Sequence, residues 1–232
     1  MILLIFIFGL VVGSFLSAYT WRAPRAKSVK KGRSKCVHCG HEIKCRDNIP
    51  LFSYLHLGGK CRHCGKKISL RYPAIELGTA LAFTAVFLTQ GGFVTPLLIT
   101  VGLVAVFVTD VEHQIILDEV VFYLVGVVLV SLLISGQSVY LFLFAGLASA
   151  LLLLSLNIVT SGRGMGLGDV KLAIPLGMSL GPGPALVWLL SSFVVGGITG
   201  LLLIAFGGAR LKQRIAFGPF MVIGYALTWF YG

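Results

Sequence analysis

Apolar residues run along this chain in long blocks, and the polar positions between them are bunched rather than interleaved. The blocks cover about residues 1–21, 74–90, 93–109, 116–134, 139–159, 170–181, 185–206 and 216–231. Most of them approach the roughly 17 to 25 residues that a helix needs to cross a bilayer. One such block would fit a buried core helix of a soluble domain; so many in succession do not. In lipid every backbone polar group must find its partner within the protein, which helices achieve and open strands do not. The pattern therefore predicts an all-α polytopic membrane protein of about eight transmembrane helices. The sixth block is short and contains Pro175, so it is expected to be tilted, kinked or only partly crossing. The first block, Met1 to Trp21, has no basic region before its apolar stretch and no convincing small-residue cleavage site after it. It reads as a retained span rather than a signal peptide.

Composition agrees. Of the 232 residues 57% are hydrophobic and only 12% are charged, where a soluble domain carries about a quarter; the mean hydropathy is +0.95. Charge placement adds orientation. Of the 19 Lys and Arg residues, 14 fall between Arg22 and Arg71, with only Glu42 and Asp47 against them, so that segment carries +12. A basic segment can signal nucleic acid, but between two membrane spans it reads as an inside loop held against anionic lipid headgroups. Membrane lipids, not nucleic acid, are the expected contact. The predicted organisation is a first transmembrane helix (1–21), a cytoplasmic loop domain (22–73) and a membrane-embedded domain (74–232). With that loop inside, the turns at Gln90–Gly92, Ser135–Ser138 and Gly181–Pro184 fall outside. Arg163, Lys171, Arg210, Lys212 and Arg214 then fall inside, together with Glu76, Asp110, Glu112, Asp118, Glu119 and Asp169.

Within the basic loop, Cys36-Val-His-Cys39 and Cys61-Arg-His-Cys64 form two CxxC pairs 21 residues apart, each followed by glycine (Gly40, Gly65). Four converging thiolates suit tetrahedral zinc, which would supply folding free energy to a loop too small for a large core. Disulfides are the alternative, disfavoured on a reducing face. His38, His41 and His63 read as solvated or supporting groups, and Cys45 as a free thiol outside the pattern.

Two carboxylates are the chemical candidates. Asp110 directly follows an apolar block, and Asp169 follows Gly166-Leu167-Gly168 at the start of another. Ionisable groups at such depth are costly and tend to be functional or paired. Two carboxylates brought together cannot both ionise comfortably, so one holds a proton. Such a dyad can activate water and protonate a departing amine. The competing readings are a helix cap for Asp169, and proton or cation sites of a transporter for both.

The same positions carry a family pattern. The chain resembles the bacterial type IV prepilin peptidases, bifunctional leader peptidases and N-methyltransferases, over essentially its whole length. The resemblance rests on Gly13-Ser-Phe-Leu16, Arg22 to Pro24, the two CxxC pairs and the segments between them. It continues through Arg71-Tyr-Pro-Ala-Ile-Glu76-Leu77, Asp110-Val-Glu-His-Gln-Ile-Ile-Leu-Asp118, Gly166-Leu-Gly-Asp169-Val-Lys171-Leu172 and Phe217-Gly-Pro-Phe220. It implies catalytic roles for Asp110 and Asp169 and cleavage of the basic leader of prepilin or pseudopilin precursors at the cytoplasmic face of the inner membrane. It also implies methylation of the new N-terminus with S-adenosylmethionine. No glycine-rich Rossmann loop is visible, so that cofactor's residues are unassigned. Three positions depart from the family pattern: Leu117 where proline is usual, Ser17 where asparagine is usual, and Cys45 where an aromatic residue is common. The last two bear on methyl transfer rather than on proteolysis.

Overall fold

The computed structural model describes residues 1–26, 34–91, 94–162, 164–206 and 216–231. Among these residues lie nine α-helices and no β-strand: α1 (Ile2–Arg22), α2 (Phe52–His56), α3 (Arg71–Gln90), α4 (Val94–His113), α5 (Asp118–Ser135), α6 (Val139–Val159), α7 (Leu167–Leu180), α8 (Pro182–Phe206) and α9 (Gly218–Tyr231). Apart from the five-residue α2, they correspond one for one to the apolar blocks of the sequence. Six of them, α1, α3, α4, α5, α6 and α8, are long and apolar enough to span a bilayer. Helices α7 and α9 have 14 residues each. At 1.5 Å per residue that is about 21 Å, short of a hydrocarbon core about 30 Å thick. The expectation of an incompletely crossing sixth segment thus has a direct physical basis. Gly92, Arg163, Arg210, Lys212 and Arg214, which the sequence assigns to turns and inner loops, lie outside the described residues.

Helices extend further than the hydropathy. Helix α4 continues past the apolar block through Asp110 to His113, its end closed by the Gln114 N–H donating to the Asp110 carbonyl at 2.9 Å. Helix α7 begins at Leu167 and so takes in Asp169. Both aspartates therefore lie within helices rather than beside them. The reason is that internal hydrogen bonds hold a helix past the point where its side chains cease to be apolar.

The chain divides into two units, Met1–Ala105 and Val106–Gly232. In the first, α1 and α3 pack antiparallel through a buried stripe of Gly9, Gly13 and Ser17. A Cβ on Gly9 would lie 2.7 Å from the Ala80 Cα, and one on Gly13 2.7 Å from the Glu76 Cα. Lipid gives no hydrophobic drive for helices to associate, so close backbone approach supplies the van der Waals energy instead. Arg71 fastens the end of the pair, donating to the Ser17 carbonyl at 2.8 Å and to Thr20 Oγ1 at 2.7 Å.

The second unit uses the same device twice. A Cβ on Gly146 of α6 would lie 2.5 Å from the Ile174 carbonyl, and one on Gly177 of α7 would lie 2.9 Å from that of Ala145. This seats the short α7 directly on α6. Between α8 and α9, Trp188 Nε1 donates to the Met221 carbonyl at 2.9 Å, and a Cβ on Gly224 would collide with Ser192 Oγ. These contacts fix two helices whose first turns carry polar groups of the site.

Candidate active site and metal centre

Asp110 sits in the last turn of α4 with only 5% of its surface exposed. Its Oδ2 accepts the N–H of Gly218, the first residue of α9, at 2.8 Å. The positive end of the α9 dipole thus points at this carboxylate. A side chain at 218 has no room, because a Cβ there would lie 2.6 Å from the same oxygen.

Asp169 is the third residue of α7 and is 8% exposed. Its Oδ2 accepts the N–H of Gly166 at 3.1 Å, from within the first turn. The capping role considered from the sequence is therefore real, although the helix starts before the aspartate rather than after it. Each carboxylate is thus anchored through one oxygen. Among the described residues no hydrogen bond is seen to either Oδ1.

Both carboxylates line one cavity of about 530 Å³. Its wall comprises the end of α4, residues 114–117, Asp118 at the start of α5, Gly166, and the first turn of α7 through Lys171. Ile115, Ile116, Leu117 and Leu167 give it an apolar side. Gly168 lets α7 approach the connecting segment closely, since a Cβ there would lie 3.1 Å from the Ile116 Cβ. At the rim, Lys171 Nζ meets Asp118 Oδ1 at 2.8 Å, both side chains more than half exposed.

Leu117 occupies the N-cap position of α5 with φ −75° and ψ 126°. That φ already falls in the range fixed by a proline ring, and among the described residues the Leu117 N–H donates no hydrogen bond. Leu117→Pro should therefore raise stability by about 0.4–1 kcal/mol through the unfolded chain. A rise in the thermal midpoint of the detergent-solubilised protein is the expected result, and a fall would show that the ring collides with the cavity wall.

The four cysteines Cys36, Cys39, Cys61 and Cys64 converge, their sulfurs all within 4.8 Å of one another. The Cys36 and Cys64 sulfurs are 3.9 Å apart and all four thiols are free. Four ligands at about 2.3 Å around tetrahedral zinc would have sulfurs about 3.8 Å apart, so the donor set fits a metal ion. The two halves are built alike. The N–H of Gly40 donates to the Cys36 carbonyl and that of Gly65 to the Cys61 carbonyl, both at 2.9 Å. Gly40 and Gly65 take φ of +70° and +67°, where a side chain would be strained. The His41 and His63 rings lie against each other, 3.4 Å between centroids. Arg62 holds Asp47 through bonds of 2.7–3.2 Å and keeps its carboxyl below the usual carboxylate range. Cys45 lies outside the cluster, as the spacing implied.

Residues 7–90 match the model of the bacterial peptidase A24 N-terminal domain, and residues 97–201 that of the type IV leader peptidase family. A prepilin leader peptidase/N-methyltransferase of Aeromonas hydrophila is 35% identical, over 97% of this chain and 90% of that protein. The chain belongs to this leader peptidase family. A Pseudomonas aeruginosa member of the same name is 35% identical over 95% of this chain and 88% of its own. One from Bacillus subtilis is 32% identical over 100% and 95%. No solved structure matches. The leader peptidase match contains Asp110 and Asp169, the N-terminal match contains the four cysteines, and Gly218 lies beyond both. Gly218 and the Asp118–Lys171 pair are parts of the site that sequence reasoning did not assign. The one available signal was their presence in the quoted motifs.

Proposed function

We propose that this chain is a membrane aspartyl endopeptidase that removes the basic leader of type IV prepilin or pseudopilin precursors, with Asp110 and Asp169 as its catalytic pair. The observation that carries this reading is that two buried carboxylates from different helices line one cavity, each with one oxygen anchored and the other unclaimed among the described residues. In the proposed reaction one aspartate takes a proton from water as the water oxygen attacks the scissile carbonyl carbon. The other protonates the nitrogen as the carbon–nitrogen bond breaks, and the two exchange roles for the next cycle. The apolar side of the cavity suits a substrate whose bond lies beside a hydrophobic segment.

The proposed organisation keeps residues 22–73 as a cytoplasmic loop domain and 74–232 as the peptidase domain of a multi-pass inner-membrane protein, the aspartates facing the cytoplasm. Structural zinc is the proposed metal of the four cysteines. Methylation of the new N-terminus with S-adenosylmethionine is the second proposed activity, and it rests on the relatives' names. A transporter reading would favour acids near the middle of spans, whereas Asp110 and Asp169 lie in the last turn of α4 and the first turn of α7.

The test is mass spectrometry of a prepilin incubated with detergent-solubilised protein and S-adenosylmethionine. Loss of the leader with a gain of one methyl group is expected. Leader loss alone would confine the activity to proteolysis and direct attention to Ser17 and Cys45. An uncut substrate, beside a control peptidase that cuts it, would overturn the reading.

A further inference from the structure

We infer that the Asp118–Lys171 ion pair is a positioning clamp that sets the spacing of the Asp110 and Asp169 carboxylates, an inference that rests on the peptidase reading above. The covalent path from one aspartate to the clamp is short on both sides. After Asp110, α4 ends at His113, and Gln114 turns the chain with φ +54°. Three non-helical residues then lead to Asp118, the first residue of α5. On the other side, Lys171 follows Asp169 by two positions in α7. The 2.8 Å contact between Lys171 Nζ and Asp118 Oδ1 joins these paths across the rim of the cavity. A second point of attachment lies close by, where Gly168 lets Ile116 rest on α7. The segment between α4 and α5 is thus pinned to α7 at two places, each within two residues of Asp169.

Stability does not account for the pair. Its side chains are 53% and 59% exposed, and ion pairs so exposed add little to folding. Geometry does account for it. Whether two carboxylates share a proton and grip one water depends on their separation, and a misplacement of about 1 Å can cost on the order of a hundredfold in rate. Leu117 leaves the connecting backbone free to turn about φ, so the segment depends on its attachments for its position. Asp118 and Lys171 accordingly act through the aspartates rather than on the substrate.

The experiment is steady-state kinetics of prepilin cleavage by the full chain and four variants. Asp118→Asn and Lys171→Met are each expected to lower kcat about threefold, as befits an exposed link, with KM within about twofold and thermal midpoints unchanged. The exchanged pair, Asp118→Lys with Lys171→Asp, should recover part of the loss, because it restores the link while placing a cation at the start of α5, where the helix dipole favours an acid. Leu117→Pro added to Asp118→Asn should recover part of it by stiffening the same segment. A rise in KM at unchanged kcat would overturn the inference by showing that the pair contacts substrate. Unchanged kinetics in both single variants would overturn it as well, as would an exchanged pair no more active than Asp118→Asn. Failure of the underlying reading looks different: the unaltered chain leaves prepilin uncut, or Asp110→Asn cuts normally, and both claims then fall together.

Discussion

Asp110→Asn and Asp169→Asn each abolish leader removal, lowering the rate by on the order of a thousandfold or more. Asparagine is nearly isosteric with aspartate and keeps a side-chain oxygen. It can still accept from the Gly218 N–H at position 110 or from the Gly166 N–H at position 169. What it lacks is the exchangeable carboxyl proton. The substitutions therefore separate chemistry from architecture. If the aspartates serve only to satisfy helix ends, asparagine, whose side-chain oxygen can accept the same N–H, preserves activity. If they form a hydrolytic pair, each variant elutes and melts like the parent chain and cuts nothing. Leader cleavage followed by mass spectrometry, with size-exclusion and melting profiles alongside, gives both readouts. Normal cleavage by either variant would end the dyad assignment.

The second large effect concerns the metal centre. The unaltered chain should carry one zinc ion per molecule by elemental analysis, and Cys61→Ser should reduce this to nearly none. Structural zinc sites in small peptides contribute on the order of 10–16 kcal/mol, far more than the short backbone bridges of this loop can replace. Those bridges are single pairs, Lys35 with Glu42 and Lys60 with Lys67. Loss of the metal should therefore loosen the loop, and the loop is rich in tryptic sites. Limited trypsin digestion is expected to spare the segment from Lys35 to Arg71 in the parent chain and to cut within it in Cys61→Ser. Full zinc retention in the variant, or absence of zinc with disulfide-linked thiols in the parent, would remove the metal from the account.

The tetracysteine loop and the aspartates differ in how they reveal themselves. Two CxxC pairs, each followed by glycine, are local patterns, and the turn each one makes is fixed within six residues by backbone bonds such as Gly40 to Cys36. Convergence of the four sulfurs is then nearly implied by the chemistry of the set. Asp110 and Asp169 gave a weaker signal. Burial among apolar residues suggested importance, but the same residues fit helix capping, ion transport or hydrolysis until the surrounding motifs were considered together. Capping proved compatible with the catalytic reading rather than opposed to it, because a carboxylate has two oxygens and capping occupies one.

Other features were invisible in the linear chain. The partner of Asp110 is a backbone N–H 108 positions away, and that of Asp118 is a lysine 53 positions away. Neither has a periodicity or spacing that could announce it. Gly9, Gly146 and Gly177 read as unremarkable small residues in apolar runs, and Gly13 only as part of a family motif; the packed helices show which backbones they allow to touch.

What the sequence determined by itself follows from the solvent. Lipid admits only self-satisfied backbone, so apolar blocks of sufficient length become helices whatever their detailed order. Their number and approximate limits could be read directly. Where each helix ends depended on hydrogen bonds rather than hydropathy, which is why α4 and α7 reach out to include their aspartates. The gathering of Asp110, Asp169, Gly218 and the Asp118–Lys171 pair was decided by tertiary structure alone. Helix ends meet according to which small residues let their backbones approach, and that fit exists only once the helices are packed.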